Sequence, residues 1–132
     1  KPISVELTYG LERICMFVQG KKNVFDIDWN DNGVKYGDVY LQSEKEFSAY
    51  NFDQANTDSL LKNFEIAEQE CKNLLDQKLP LPAYDQCLKA SHIFNLLDAR
   101  GVIAVAERTG YINRIRELAK GAGSGWLENQ ER

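Results

Sequence analysis

The sequence predicts an α+β chain that is mostly helical, and three observations carry that reading. Residues 3–9 alternate apolar and polar side chains over one short stretch. From residue 36 onward the apolar residues recur mainly at helical spacing. Turn-forming residues gather at 20–35 and again at "KLPLP". The predicted divisions are a strand–helix unit with a turn-rich segment at 1–35, a helical domain at 36–120 and a flexible tail at 121–132.

Ile3, Val5, Leu7 and Tyr9 fall on one side of the opening stretch, and Ser4, Glu6 and Thr8 on the other. That is the period-2 signature of a half-buried strand. Gly10 ends it. Leu11, Ile14, Cys15 and Val18 then recur at helical spacing, with Gly20 as the C′ residue. A lone strand cannot satisfy its own ladder. A chain that opens at Lys1-Pro2 and enters a strand at once is therefore expected to be part of something longer.

"VFDIDW" fits a short strand and "NDNG" a tight turn. "DVYLQSEKEFSAYNF" fits a short helix. Next, Asn56 or Thr57 caps a helix whose stripe is Leu60, Phe64, Ala67, Cys71 and Leu74. "KLPLP" breaks it, and Pro82 suits the first turn of a further helix with Tyr84, Cys87, Leu88, Ser91 and Phe94 on one face. A last helix spans about 102–120 and places Val105, Ile112, Ile115 and Leu118 inward, with Gly110 as a point of weakness. "GAGSG" reads as a linker. "WLENQER" reads either as a docked segment or as an appended tail.

Composition narrows the function classes. The 132 residues suffice for one domain with a core. A net charge of −4 argues against a generic polyanion binder. No apolar run reaches the roughly 20 residues that span a bilayer, so no membrane partner is expected. Cys15, Cys71 and Cys87 are odd in number and lack metal-ligand spacing, which argues against a disulfide framework and against zinc. They read as small core residues in a reducing cytoplasmic setting. His92 is the only histidine and reads as an ordinary helix residue.

The opening elbow is where chemistry concentrates. Gly10 lets a flat ligand or phosphate approach the backbone closely. The helix N-terminus that follows favours anions. Arg13, in its first turn, can fork onto a phosphate or lie flat on a base. Glu6 suits a phosphate-bridging Mg²⁺ or an ammonium group. The set fits a nucleoside triphosphate; taken by spacing alone, such a short pattern more often marks an ordinary strand–helix turn with a surface arginine.

"GLER" after a strand and before an apolar helix resembles motif 3 of class II aminoacyl-tRNA synthetases. With "ELTYGLERICMFVQG", "YGDVY", "YNFDQA" and "LPLPAYDQCLKASHIFNLLDARGVIAVAERTGYINRIREL", the chain to about Lys120 is similar to the α subunit of bacterial heterotetrameric glycyl-tRNA synthetases. The resemblance implies a motif 3 strand and helix from an antiparallel catalytic sheet, followed by a C-terminal helical domain. It implies ATP and Mg²⁺ as a substrate complex, and glycine, tRNA(Gly) and a larger β subunit as partners. It also implies an α–α homodimer within the heterotetramer. Arg13 takes the place of the catalytic, ATP-contacting arginine and Gly10 that of the glycine beneath the nucleotide. Glu6 and Thr8 face the glycine and metal pocket, with Glu6 the Mg²⁺ candidate, and Glu12 supports the fold. Nothing in these residues resembles motifs 1 and 2, so the chain alone is expected to be inactive. The alternative is a helical module that docks the β subunit without catalysis. Arg100, Arg108, Arg114, Arg116 and Lys120 read as a solvated face or as a contact for tRNA or the β subunit.

Overall fold

The computed structural model describes residues 3–130, and every regular element among them is helical. The order is α1 (Leu11–Val18), a 3₁₀ turn (Val24–Asp26), α2 (Tyr36–Ala49), a π turn (Tyr50–Gln54), α3 (Thr57–Asp76), α4 (Pro80–Ala99) and α5 (Val105–Gln130). Two compact units divide the chain, residues 1–48 and 49–132.

This corrects the predicted antiparallel sheet. Residues 3–9 stay outside any ladder, and the apolar side meant for a core is open: Ile3 is 90% exposed and Leu7 78%. The reason is elementary, because a strand's N–H and C=O groups need a neighbour and none of the described residues pairs with this segment. "VFDIDW" likewise forms no strand. It begins with the 3₁₀ turn, and only one antiparallel bridge, Asp28 to Lys35, follows.

The second unit is a helical hairpin with a third helix laid along it. Among the buried positions, α3 contributes Leu60, Phe64, Ala67 and Cys71 to the seam, and α4 contributes Ala83, Cys87, Ala90, Phe94 and Leu97. Both sets alternate steps of four and three, the seam of two closely paired helices. Cys71, Ala83 and Cys87 cluster with Leu118 near the α3–α4 turn, while Leu60, Phe64, Phe94 and Leu97 gather at the other end. The helices are thus antiparallel, as a short connection demands. Asn56 caps α3 by accepting from the Ser59 N–H at 2.8 Å, as its position before the apolar stripe predicts.

The buried face of α4 differs from the expected one. Tyr84 and Leu88 remain about half exposed, and Ala83, Cys87 and Ala90 take the seam. Close approach of α3 selects small side chains there, and bulk turns outward.

The core is tied by one knot. Phe64, fully buried, meets Tyr111 edge-on at 5.0 Å, and Tyr111 stacks on Phe94 at 6.0 Å. Arg114 lies over both Phe64 (4.6 Å) and Tyr111 (5.0 Å) and forks onto Glu68, with Nε–Oε1 at 3.0 Å. Lys72 adds a second cation to Glu68 at 3.2 Å. Burial alone would raise a carboxyl's pKa; here Arg114 first, then Lys72, holds Glu68 below its ordinary value of 4.5.

Two further arginines of the expected basic face also tie the fold. Arg108 bonds Asp98 at 3.1 Å, and Arg100 donates to the Ala55 carbonyl at 2.6 Å. The inward Ile112, Ile115 and Leu118 pack as predicted, but Val105 is 90% exposed at the start of α5. No break occurs at Gly110, and α5 runs on to Gln130 through the stretch expected to be a linker. Ala122 is buried, and a Cβ on Gly121 would sit 2.8 Å from Leu75 Cδ1. Small residues let this end of α5 close on α3, and packing overrides their poor helix propensity. Of the expected tail, residues 131 and 132 lie outside the described part, as do Lys1 and Pro2 at the start.

Two outcomes follow. Glu68→Gln lowers stability by roughly 1–3 kcal/mol at pH 7, because Arg114 loses its charged partner. A carboxyl with a depressed folded pKa contributes stability above its unfolded pKa and loses it as pH falls through the folded value. Urea melts from pH 7 to 2 therefore show wild type converging on the variant below about pH 4.5; parallel curves down to pH 2 would contradict this. A Cβ on Gly37, near the start of α2, would sit only 3.0 Å from the Phe25 carbonyl oxygen. Gly37→Ala costs about 1–3 kcal/mol in the first unit. Hydrogen exchange reads this as faster exchange across residues 19–40 with α3 and α4 unchanged.

Candidate functional site

The first unit is built around α1. Gly10 precedes the helix without a side-chain cap, so the N–H groups of its first turn have no capping side chain. Gly20, at φ 63°, closes the helix in the left-handed region, the position the sequence assigns it.

The end of α1 is latched to the following segment by Gln19. Its side-chain amide accepts from the Asp28 N–H at 2.7 Å and donates to the Asp28 carbonyl at 3.1 Å. This two-bond pairing does what a strand neighbour would do. The Asp28 carboxylate binds Lys21 at 2.8 Å and also pairs with Lys35. These hydrogen bonds, Lys21 first, hold its pKa below the ordinary carboxylate range. Asn30 accepts from the Asn32 N–H at 2.9 Å, which shapes the "NDNG" turn, and Asp38 caps the start of α2 by accepting from the Lys35 N–H at 2.7 Å.

Each candidate residue can now be placed. Arg13 is exposed in the first turn of α1, and among the described residues it has no ion-pair partner. Gly10 has φ −72° and ψ 121°, a conformation open to any residue. A Cβ there would lie 3.9 Å from the Arg13 side chain, an ordinary contact. Neither torsion nor crowding within the chain requires glycine at this position. Glu6 and Thr8 share one side of the extended segment, and the Thr8 hydroxyl donates to the Glu6 carboxylate. They are brought together with each other, but among the described residues no hydrogen bond or ion pair joins them to Arg13.

Among the described residues no group of three or more His, Cys, Asp or Glu converges to hold a metal. Glu6 offers a single carboxylate. That donor set fits Mg²⁺ only as it arrives with a nucleotide, where phosphate and water oxygens fill most positions.

A second feature of this unit is a cleft of about 350 Å³. Leu11, Cys15 and Ile27 form its apolar wall, and Trp29, Tyr36 and Tyr40 line it with aromatic rings. Tyr36 and Tyr40 lie 4.7 Å apart, and Trp29 meets them at 6.1 and 5.7 Å. Glu12 stands at the cleft, where the Tyr36 hydroxyl donates to it at 3.4 Å. Desolvation first, then the Glu12 charge, raises the Tyr36 pKa and keeps the phenol protonated. The i, i+4 spacing of the tyrosines in "YGDVY" is the signal that places both rings on one helix face. Cys15 departs from a core role, being half-buried at this cleft, whereas Cys71 and Cys87 are buried in the other unit.

In the second unit, a groove of about 560 Å³ between α3 and α4 carries Ile66, Leu88 and the exposed His92. Its polar groups do not converge, and the Lys89–Asp85 pair at its edge is satisfied at 2.8 Å.

Residues 1–131 fit the family described as glycyl-tRNA synthetase alpha subunit. The match spans both units, the α1 elbow and the α3–α5 helices alike. The chain belongs to the glycyl-tRNA synthetase alpha-subunit family, whose ligase activity serves translation with glycine and tRNA(Gly) as its partners.

Proposed function

We propose that the α1 elbow is one wall of the site where glycine and ATP form glycyl-adenylate before transfer to tRNA(Gly). The observation that carries this reading is the family match across residues 1–131; the resemblance of "GLER" to motif 3 gives Arg13 the role of its arginine. Local geometry supports it: an exposed guanidinium beside an uncapped helix N-terminus is a place for an anion.

In this reading a glycine carboxylate oxygen attacks the α-phosphorus of ATP. A new P–O bond forms as the bond to the β-phosphate oxygen breaks, and pyrophosphate leaves with the electron pair. Such a reaction depends on positioning and on stabilising charge on phosphate oxygens. Arg13 holds the nucleotide through its fixed charge and planar fork. Gly10 leaves space for the nucleotide against the backbone. Glu6 faces the glycine ammonium or the Mg²⁺ that accompanies ATP, and Thr8 orients Glu6 through their hydrogen bond. In a cytoplasmic heterotetramer, two such α chains pair with each other and with the β subunit. The 132-residue chain by itself supplies Arg13 but no second phosphate-binding motif, so it does not activate glycine alone.

The second reading, a helical module that docks the β subunit without catalysis, draws on a different observation. The unit of residues 49–132 has its own core and leaves Ile66, Leu81 and Leu88 at 65%, 69% and 51% exposure. One experiment separates the two. In the synthetase assembled with its β subunit, Arg13→Ala lowers glycine-dependent ATP–pyrophosphate exchange by roughly 10²- to 10³-fold with assembly intact, and the isolated chain shows no exchange. Unchanged exchange in the assembled variant leaves the docking role alone standing.

A further inference from the structure

The aromatic cleft of the first unit is not used by the reaction just described. Its lining combines Trp29, Tyr36 and Tyr40 with two carboxylates, Glu12 and Asp28, and no lysine or arginine lines it. The two acids are in different states. Asp28 is held by Lys21 and Lys35. Glu12 has no cationic partner among the described residues, only the long hydrogen bond from Tyr36. Trp29 and Tyr40 remain 50% and 40% exposed, so their rings are accessible from solvent.

We propose that this cleft binds a small alkylammonium compound, its cationic head against the faces of Trp29, Tyr36 and Tyr40 and countered by Glu12. Three lines of chemistry converge. Aromatic faces are negative at their centres and attract a cation within about 6 Å of the ring. An alkyl chain finds apolar contact on Leu11, Cys15 and Ile27. The volume of about 350 Å³ matches a small molecule. Glycine does not suit the cleft, because its own carboxylate would face Glu12, the acid without a cationic partner among the described residues. This site is therefore distinct from the pocket proposed for the amino acid.

Replacing Trp126 with Phe leaves Trp29 as the sole tryptophan of the chain. In that background, titration with n-butylammonium chloride at constant ionic strength gives a saturable change in Trp29 emission. The uncharged isostere n-butanol gives none at equal concentration, and glycine does not compete. Glu12→Gln, at an exposed position, weakens the apparent affinity about fivefold. Tyr40→Leu weakens it by a similar factor while the far-ultraviolet circular dichroism of both variants matches the parent. Identical curves for the amine and the alcohol, competition by glycine, absence of saturation with the amine, or an affinity untouched by Glu12→Gln would each overturn the proposal.

Discussion

A helix closes its backbone hydrogen bonds within itself, whereas an extended segment borrows every one from a neighbour. This constraint governs the chain. Wherever apolar residues recur at helical spacing, as on α3, the backbone is satisfied locally and the apolar stripe then finds a partner. Residues 3–9 have a strand's side-chain pattern but no adjoining ladder, so Ile3, Val5, Leu7 and Tyr9 stay exposed. The same limitation reaches the proposed site, because among the described residues Glu6 and Thr8 are organised only by their bond to each other. Arg13, on a helix, keeps a defined backbone with or without a sheet.

Inside the second unit the burden falls on the contact of Phe64, Tyr111, Arg114 and Glu68. Arg114 brings a charge next to the core, and Glu68 and two aromatic faces compensate it. Removing either charge leaves the other poorly solvated, which is why such a pair specifies the position of α5 more than it adds net stability. The first unit relies on smaller devices. Gln19 substitutes for a strand partner, and Asn30 and Asp38 cap turns with their own side chains.

Much of this organisation was legible in the residues, and its limits have physical causes. Asn56 before a polar–apolar stripe announces a capped helix, and Leu60, Phe64, Ala67 and Cys71 announce its buried face. On α4 the same logic chose Tyr84 and Leu88, because hydrophobicity counts apolar bulk. Close helix pairing rewarded Ala83 and Ala90 instead. "GAGSG" has linker composition, and only the nearness of Leu75 and Pro80 explains why it is helical. For the proposed site, "GLER" after an alternating stretch is the feature that singles out Arg13 and Gly10 as candidates. Nothing in the sequence marks Gln19, whose role depends on where the chain returns nine residues later. The Tyr36–Tyr40 spacing was visible, but its meaning waited on Trp29 being brought alongside.

The central claim is that the α1 elbow is one wall of an adenylate-forming site and that the extended segment before it becomes ordered only with a neighbour. Amide hydrogen exchange across residues 3–14 tests it most directly, compared between the isolated chain and the assembled synthetase with and without a non-hydrolysable glycyl-adenylate analogue. The account predicts unprotected exchange at 3–9 in the isolated chain, protection there on assembly, and added protection at 11–13 when the analogue binds. Protection of 3–9 in the isolated chain equal to that of α3, or no response at 11–13 to the analogue, would contradict it.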